Sequence, residues 1–130
     1  MTYTIDWFEN GVLVRFTGVV TLEIIFASDR ECYADERYPK IDYGIYDFSD
    51  ADLSPFTNED IIKLSSVDVQ RSYVKKKFKV AVIATDKLTR SLGESYQYIS
   101  ELTGSSWETR VFDIIEPATL WCLQGSSRKK

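Results

Sequence analysis

The sequence predicts an α/β protein: an N-terminal β-hairpin, then alternating strands and helices, with a mixed, mostly parallel sheet of about five strands and about four helices. Three observations predict it. Asn10-Gly11 lies between two β-rich runs, a strong hairpin signal. After the hairpin, apolar runs of strand length alternate with segments of helical spacing, which calls for crossover helices and parallel pairing. The run "FKVAVIAT", Phe78 to Thr85, is apolar almost throughout. A strand covered on both faces reads that way.

Taken in order, "YTIDWF" (Tyr3 to Phe8) and "VLVRFTG" (Val12 to Gly18) form the hairpin strands. The segment from Thr21 to Pro39 reads as a helix. Thr21 is its N-cap, and Leu22, Ile25, Phe26, Asp29 and Cys32 or Tyr33 follow helical spacing with one polar interruption. Pro39 ends any continuation. "YGIYDF", Tyr43 to Phe48, is a short central strand. The second helix lies within Ser54 to Val74, capped by Thr57 with Asp60 in a capping box. Ile61, Leu64, Val67 or Asp68, and Arg71 mark its face, widened by Ile62, Val69 and Tyr73. Asp86 caps the third helix, whose stripe is Leu88, Leu92, Tyr96 and Ile99 and whose stop is Gly104. "WETRVFD" (Trp107 to Asp113) is the last strand, and Glu116 to Gly125 a short terminal helix with Pro117 in its first turn.

The chain has 130 residues, 44% of them hydrophobic, enough for one core. Residues 1–124 are expected to form one domain, and 125–130 a disordered basic tail. The net charge of -4 argues against nucleic acid, because phosphate contacts need a basic face. The basic run "KKKFK" (Lys75 to Lys79) is expected to be a solvated loop. Histidine is absent, which removes Ser-His-Asp and Cys-His catalysis and histidine-ligated metals. Cys32 and Cys122 have no CxxC spacing and are expected to be buried free thiols in a reducing compartment. No phosphate-cradling glycine loop is present. The N-terminus carries neither a signal-peptide pattern nor a spanning segment. The expectation is a cytoplasmic protein with no cofactor, no metal and no catalytic set.

Four stretches then point to a family: "IDWFENGVLVRFTGVVTLE", "IYDFSDAD", "VAVIATD" and "WETRVF". Together they resemble the SpoIIAA-like group of bacterial proteins, over roughly Thr2 to Leu123. That resemblance implies a fold similar to STAS domains, the anti-sigma-factor antagonists, and through it to the CRAL-TRIO lipid-binding domains. Antagonist members carry "DLS" at the end of the central strand and a later "DSSG" whose serine is phosphorylated. Here "DFS" (Asp47, Phe48, Ser49) looks like the first motif; the second is absent, and Thr57 falls near that position in the context "PFTNED".

Two functional classes follow. The first is a non-catalytic regulatory or protein-interaction module of STAS type, with a partner or a second copy of the chain (a homodimer) on a face of Ser49, Asp50, Asp52, Ser54, Thr57 and Asp60. The bland reading of the same residues is turn and cap chemistry, because Asp and Ser bond their own backbone. The second is a carrier or sensor of a small apolar, lipid-like ligand, its pocket lined by Tyr43, Tyr46, Tyr96 and Trp107. Against it stands ordinary core packing of large aromatics. An enzyme built on Asp47 and Asp86, each at a strand end, is a weaker third reading. Arg71, Arg90 and Arg110 are expected to be solvated or ion-paired.

Overall fold

The computed structural model describes residues 2–124. Its strands are β1 (Tyr3–Trp7), β2 (Gly11–Val19), β3 (Tyr43–Asp52), β4 (Lys79–Ile83) and β5 (Glu108–Phe112). Its helices are α1 (Leu22–Ala34), α2 (Asn58–Ser72), α3 (Lys87–Leu102) and α4 (Ile115–Leu123), with a 3-10 turn at Tyr38–Lys40. The sheet runs β1-β2-β3-β4-β5, so every strand lies beside its predecessor in the chain. The β1–β2 pair is antiparallel and the other three are parallel. The mixed α/β architecture is the one the alternation of elements predicts.

That order decides where the helices go. Parallel strands stepping in one direction, joined by right-handed crossovers, place all their crossover helices on one face. Accordingly α1, α2 and α3 share one core with Val12, Val14 and Phe16 of β2, Phe48 of β3, and Val80 and Val82 of β4. The alternate residues point the other way. Leu13, Tyr43, Ile45, Ala81 and Ile83 pack with Ala118, Trp121 and Cys122 around α4. Side chains of a strand alternate between faces, so β3 and β4, covered on both, are apolar on both. Away from α4 the same face is polar and open: Thr4, Asp6, Arg15 and Thr17 are exposed.

The caps fall at Thr21, Thr57 and Asp86. Thr57 Oγ1 accepts from the Asp60 N–H, and Asp60 Oδ2 accepts from the Thr57 N–H, at 3.1 Å each. Asp86 Oδ2 accepts from the Thr89 N–H at 3.1 Å. Gly104 adopts φ +92°, the left-handed conformation that ends α3.

Several expectations are corrected. The hairpin loop is Glu9-Asn10, since Trp7 pairs with Val12 and the Phe8 N–H donates to the Gly11 carbonyl at 2.8 Å. Neither loop residue has positive φ, so the mirror-image turn that Asn-Gly usually signals is not formed. Gly11 opens β2 instead, where a Cβ would lie 2.1 Å from the Tyr43 ring. Helix α1 stops at Ala34, and Pro39 sits in the separate 3-10 turn. On α2, Ile62 and Tyr73 face solvent, because the packed stripe runs through Ile61, Ser65, Asp68, Val69 and Ser72. On α3 Leu92 and Tyr96 of the expected stripe are buried and Ile99 packs against the core, but Leu88 is exposed, and Thr89, Gly93 and Ser100 complete the buried face. The "KKKFK" run is only partly a solvated loop. Lys75 Nζ donates to the Tyr38 carbonyl at 3.0 Å and lies over the Tyr38 ring. Lys79 is buried in β4, its Nζ donating to the Trp121 carbonyl at 2.7 Å and the Gln124 carbonyl at 3.1 Å. The expected tail and Gly125 lie outside the described residues.

Candidate functional site

The strand-end segment that reads as a turn is largely strand. β3 continues through Ser49, Asp50 and Ala51 to Asp52. Its pairing with β4 ends at Asp47–Ile83, so beyond that point it lies beside β2 alone. The register steps from Arg15–Asp47 to Thr17–Asp50, which inserts one extra residue into β3. Asp47 stabilises this bulge. Its Oδ1 accepts from the Ser49 N–H at 2.9 Å and from the Ser49 hydroxyl at 2.7 Å. Asp52 Oδ1 accepts from the Ser54 N–H at 2.9 Å, turning the chain toward α2. The bland chemistry is therefore present bond by bond, yet it produces a projecting ribbon. Ser49, Asp50, Asp52, Ser54 and Thr57 are all exposed, and Asp60 lies in the first turn of α2 beside them.

A second site was not singled out in the sequence. Beneath α1, α2 and α3 lies a cavity of about 70 Å³. Tyr46, Tyr96 and Trp107 line it. Tyr43 does not: an odd separation from Tyr46 along β3 sends its ring to the α4 face, beside Trp121 and Cys122. Small-molecule pockets run to roughly 300–1,000 Å³, so this volume gives a lipid-like cargo no support.

Two carboxylates face this cavity, Asp29 from α1 and Asp68 from α2. Asp68 is 8% exposed. Its Oδ2 accepts a hydrogen bond from the Tyr96 hydroxyl at 2.5 Å, whereas Oδ1 is buried with no partner. Burial pushes its pKa up to about 6, against the Tyr96 hydrogen bond and the Arg71 charge, which both lower it. Asp29 is also raised well above the usual carboxylate range, first by burial and then by repulsion from Asp68. Arg71 joins neither carboxylate in an ion pair among the described residues. Its guanidinium lies 3.4 Å over the Tyr33 ring, closing the seam between α2 and α1, and its Nε is buried without a partner. It is thus half-buried over a ring rather than ion-paired. The signal for this cluster in the sequence was a carboxylate on each apolar helix stripe.

The remaining candidates are quieter. Asp86 is engaged as a cap, with its Oδ1 also accepting from the Thr89 hydroxyl at 2.7 Å, and Asp47 as a bulge. Arg90 pairs with Asp113 and with Glu94. Arg110 lies over the Phe112 and Trp121 rings. Cys32 and Cys122 are buried free thiols, pushed up to about 12 by burial and so poor thiolates. Among the described residues no helix is long and apolar enough to cross a membrane.

No protein-family model matches the chain, and no curated protein matches it. Solved structures do. The anti-sigma factor antagonist SpoIIAA in its unphosphorylated form superposes with a TM-score of 0.61 at 10% identity, over 95% of this chain and 99% of that one. An uncharacterized DUF3478-family protein with a SpoIIAA-like fold, from Shewanella loihica PV-4, gives a TM-score of 0.56 at 19% identity, over 92% and 91% of the two chains. The chain is an α/β protein with the SpoIIAA-like fold.

Proposed function

We propose that this protein is a non-catalytic regulatory module that works by binding another protein, and that the partner reads the strand end of β3 with the start of α2. The carrying observation is the stretch Phe48–Asp52, which runs past β4 with one side unpaired. Unpaired strand edges are templates for an added strand. This one bears Ser49, Asp50 and Asp52 on its exposed positions, with Ser54, Thr57 and Asp60 continuing the surface. Its charge favours a basic segment, by steering and by complementarity. The likeness to SpoIIAA, described as an anti-sigma factor antagonist, supports a role in protein binding.

The test is quantitative partner capture from the protein's own host. The wild type is compared with an Asp50→Lys/Asp52→Lys variant and with a Lys76→Glu/Lys77→Glu control. Partners retained by wild type and control but lost by the strand-end variant bear the reading out. Identical partner sets for all three would end it.

A further inference from the structure

We infer that the cavity between Asp29, Asp68 and Tyr96 is a binding site for a small primary alkylammonium ion. This is independent of the partner face proposed above. The first ground is an unsatisfied acceptor. Asp68 lines the cavity, and its Oδ1 is buried and has no donor, although buried polar groups are nearly always bonded. A second carboxylate, Asp29, lines the same space from the opposite helix. The two repel each other, and the nearby Arg71 is committed to the Tyr33 ring. Arg71 brings one positive charge near the two carboxylates but forms an ion pair with neither among the described residues, so the space lacks a donor and a second positive charge, and an ammonium group supplies both.

The rest of the lining says what accompanies that charge. Phe48, Val80, Val82 and Leu92 make the deep wall apolar, and Tyr46 and Trp107 present rings. A metal ion would give up its hydration for two carboxylates and hydrocarbon, and among the described residues no set of three ligating side chains stands ready. An alkylammonium has three donors for the oxygens and an alkyl end for the wall, and aromatic rings attract such cations. Tyr96 Oη donates its proton to Asp68 and keeps lone pairs for a third donor. A volume of about 70 Å³ admits about five to seven atoms of water size, since one water needs on the order of 10–15 Å³ by the same measure. Methylammonium and ethylammonium fit; octylammonium does not. The groups facing Asp68 are Asp29 from α1, Arg71 from α2 and Tyr96 from α3, with Tyr33, Tyr38 and Tyr46 beyond them. Of these groups Asp68 is pushed up to about 6, Asp29 is raised in the same sense, and the alkylammonium stays charged throughout.

The experiment is carbon-detected NMR of the full chain, following the Asp29 and Asp68 carboxyl carbons. Methylammonium chloride is titrated against sodium chloride and octylammonium chloride at equal ionic strength. Saturable shifts with methylammonium alone are expected, with affinity at least tenfold tighter at pH 7 than at pH 5. Asp68→Asn, whose amide oxygen still accepts from Tyr96, should abolish saturation. Should that variant fail to fold, Asp29→Asn, on the half-buried second carboxylate, takes its place. The inference is overturned if methylammonium and sodium give the same shifts, which would leave a water in the cavity, or if the folded variant binds as the wild type does.

Discussion

The Tyr96 hydroxyl, on α3, donates to one oxygen of the buried Asp68 carboxylate on α2 at 2.5 Å, and the other oxygen of that carboxylate is left bare. This bond ties the two helices together across the cavity. Tyr96→Phe removes it without changing the ring and strands both oxygens. Loss of a donor to a buried charged acceptor costs about 1–3 kcal/mol. Urea denaturation should show that loss, and the Asp68 carboxyl should titrate higher than in the wild type. Unchanged stability and titration would mean that the bond contributes nothing.

The same carboxylate makes stability depend on pH in an unusual direction. Asp68 titrates near 6 in the folded chain against an ordinary 3.8. The folded state therefore holds that proton more tightly than the unfolded state. The stabilisation is full below 3.8 and is lost as pH rises through 6. Asp29 is raised too and acts in the same sense. Asp35 and Asp86, both lowered, act oppositely, with Asp35 at about 2, and lose their contribution only at more acid pH. The unfolding free energy from urea titration, and with it the midpoint, should fall between about pH 4 and pH 7, by up to about 3 kcal/mol from Asp68. Asp68→Asn should flatten the profile. A wild-type midpoint that rises across this range contradicts the assignment.

Thr57 and Asp60 satisfy two backbone donors at the start of α2. Thr57→Ala should cost about 1 kcal/mol, and Thr57→Ser should restore most of it. Thermal melts of the three proteins decide the point; equal melting temperatures would show that the box is dispensable.

Lys79 is a buried cation on β4 whose Nζ holds the Trp121 and Gln124 carbonyls at the end of α4. It also lies 4.8 Å from the Trp121 ring. Lys79→Met keeps the stem and removes the charge, at a cost of about 1.5–3 kcal/mol. Hydrogen exchange should quicken in α4 before it quickens in α1 to α3. Uniform exchange across all four helices would show that the lysine does not hold α4 specifically.

Gly11 is where the ring of Tyr43 lies down on β2. Gly11→Ala should cost about 1–3 kcal/mol through overpacking, and adding Tyr43→Leu should recover part of it. If the glycine mattered only for turn conformation, the second change would recover nothing.

Comparison of sequence with structure divides along a physical line. Element order and all three side-chain caps were readable, because periodicity and cap chemistry are local. The apolar run of β4 and the cap at Asp86 lie where they were expected. The length of β3 was not readable, because Asp and Ser serve a bulged strand as well as a turn. Lys79 reads as a solvated cation until α4 supplies the carbonyls that surround it. Asp29 and Asp68 were visible as polar breaks in two apolar stripes, but only the packing of α1 against α2 makes them face one space. Tyr43 and Tyr46 read alike and were separated by strand parity alone.

The strand order also has a consequence for how the chain is made. Each strand lies beside the one that left the ribosome before it, so at every step the pairing partner already exists. The carboxylate in the core is the exception. Asp68 emerges 28 residues ahead of Tyr96. Until α3 is synthesised, that carboxylate is open to water, which donates to both oxygens. The arrival of α3 thus takes the carboxylate out of water and leaves it one protein donor, so its desolvation comes late in synthesis.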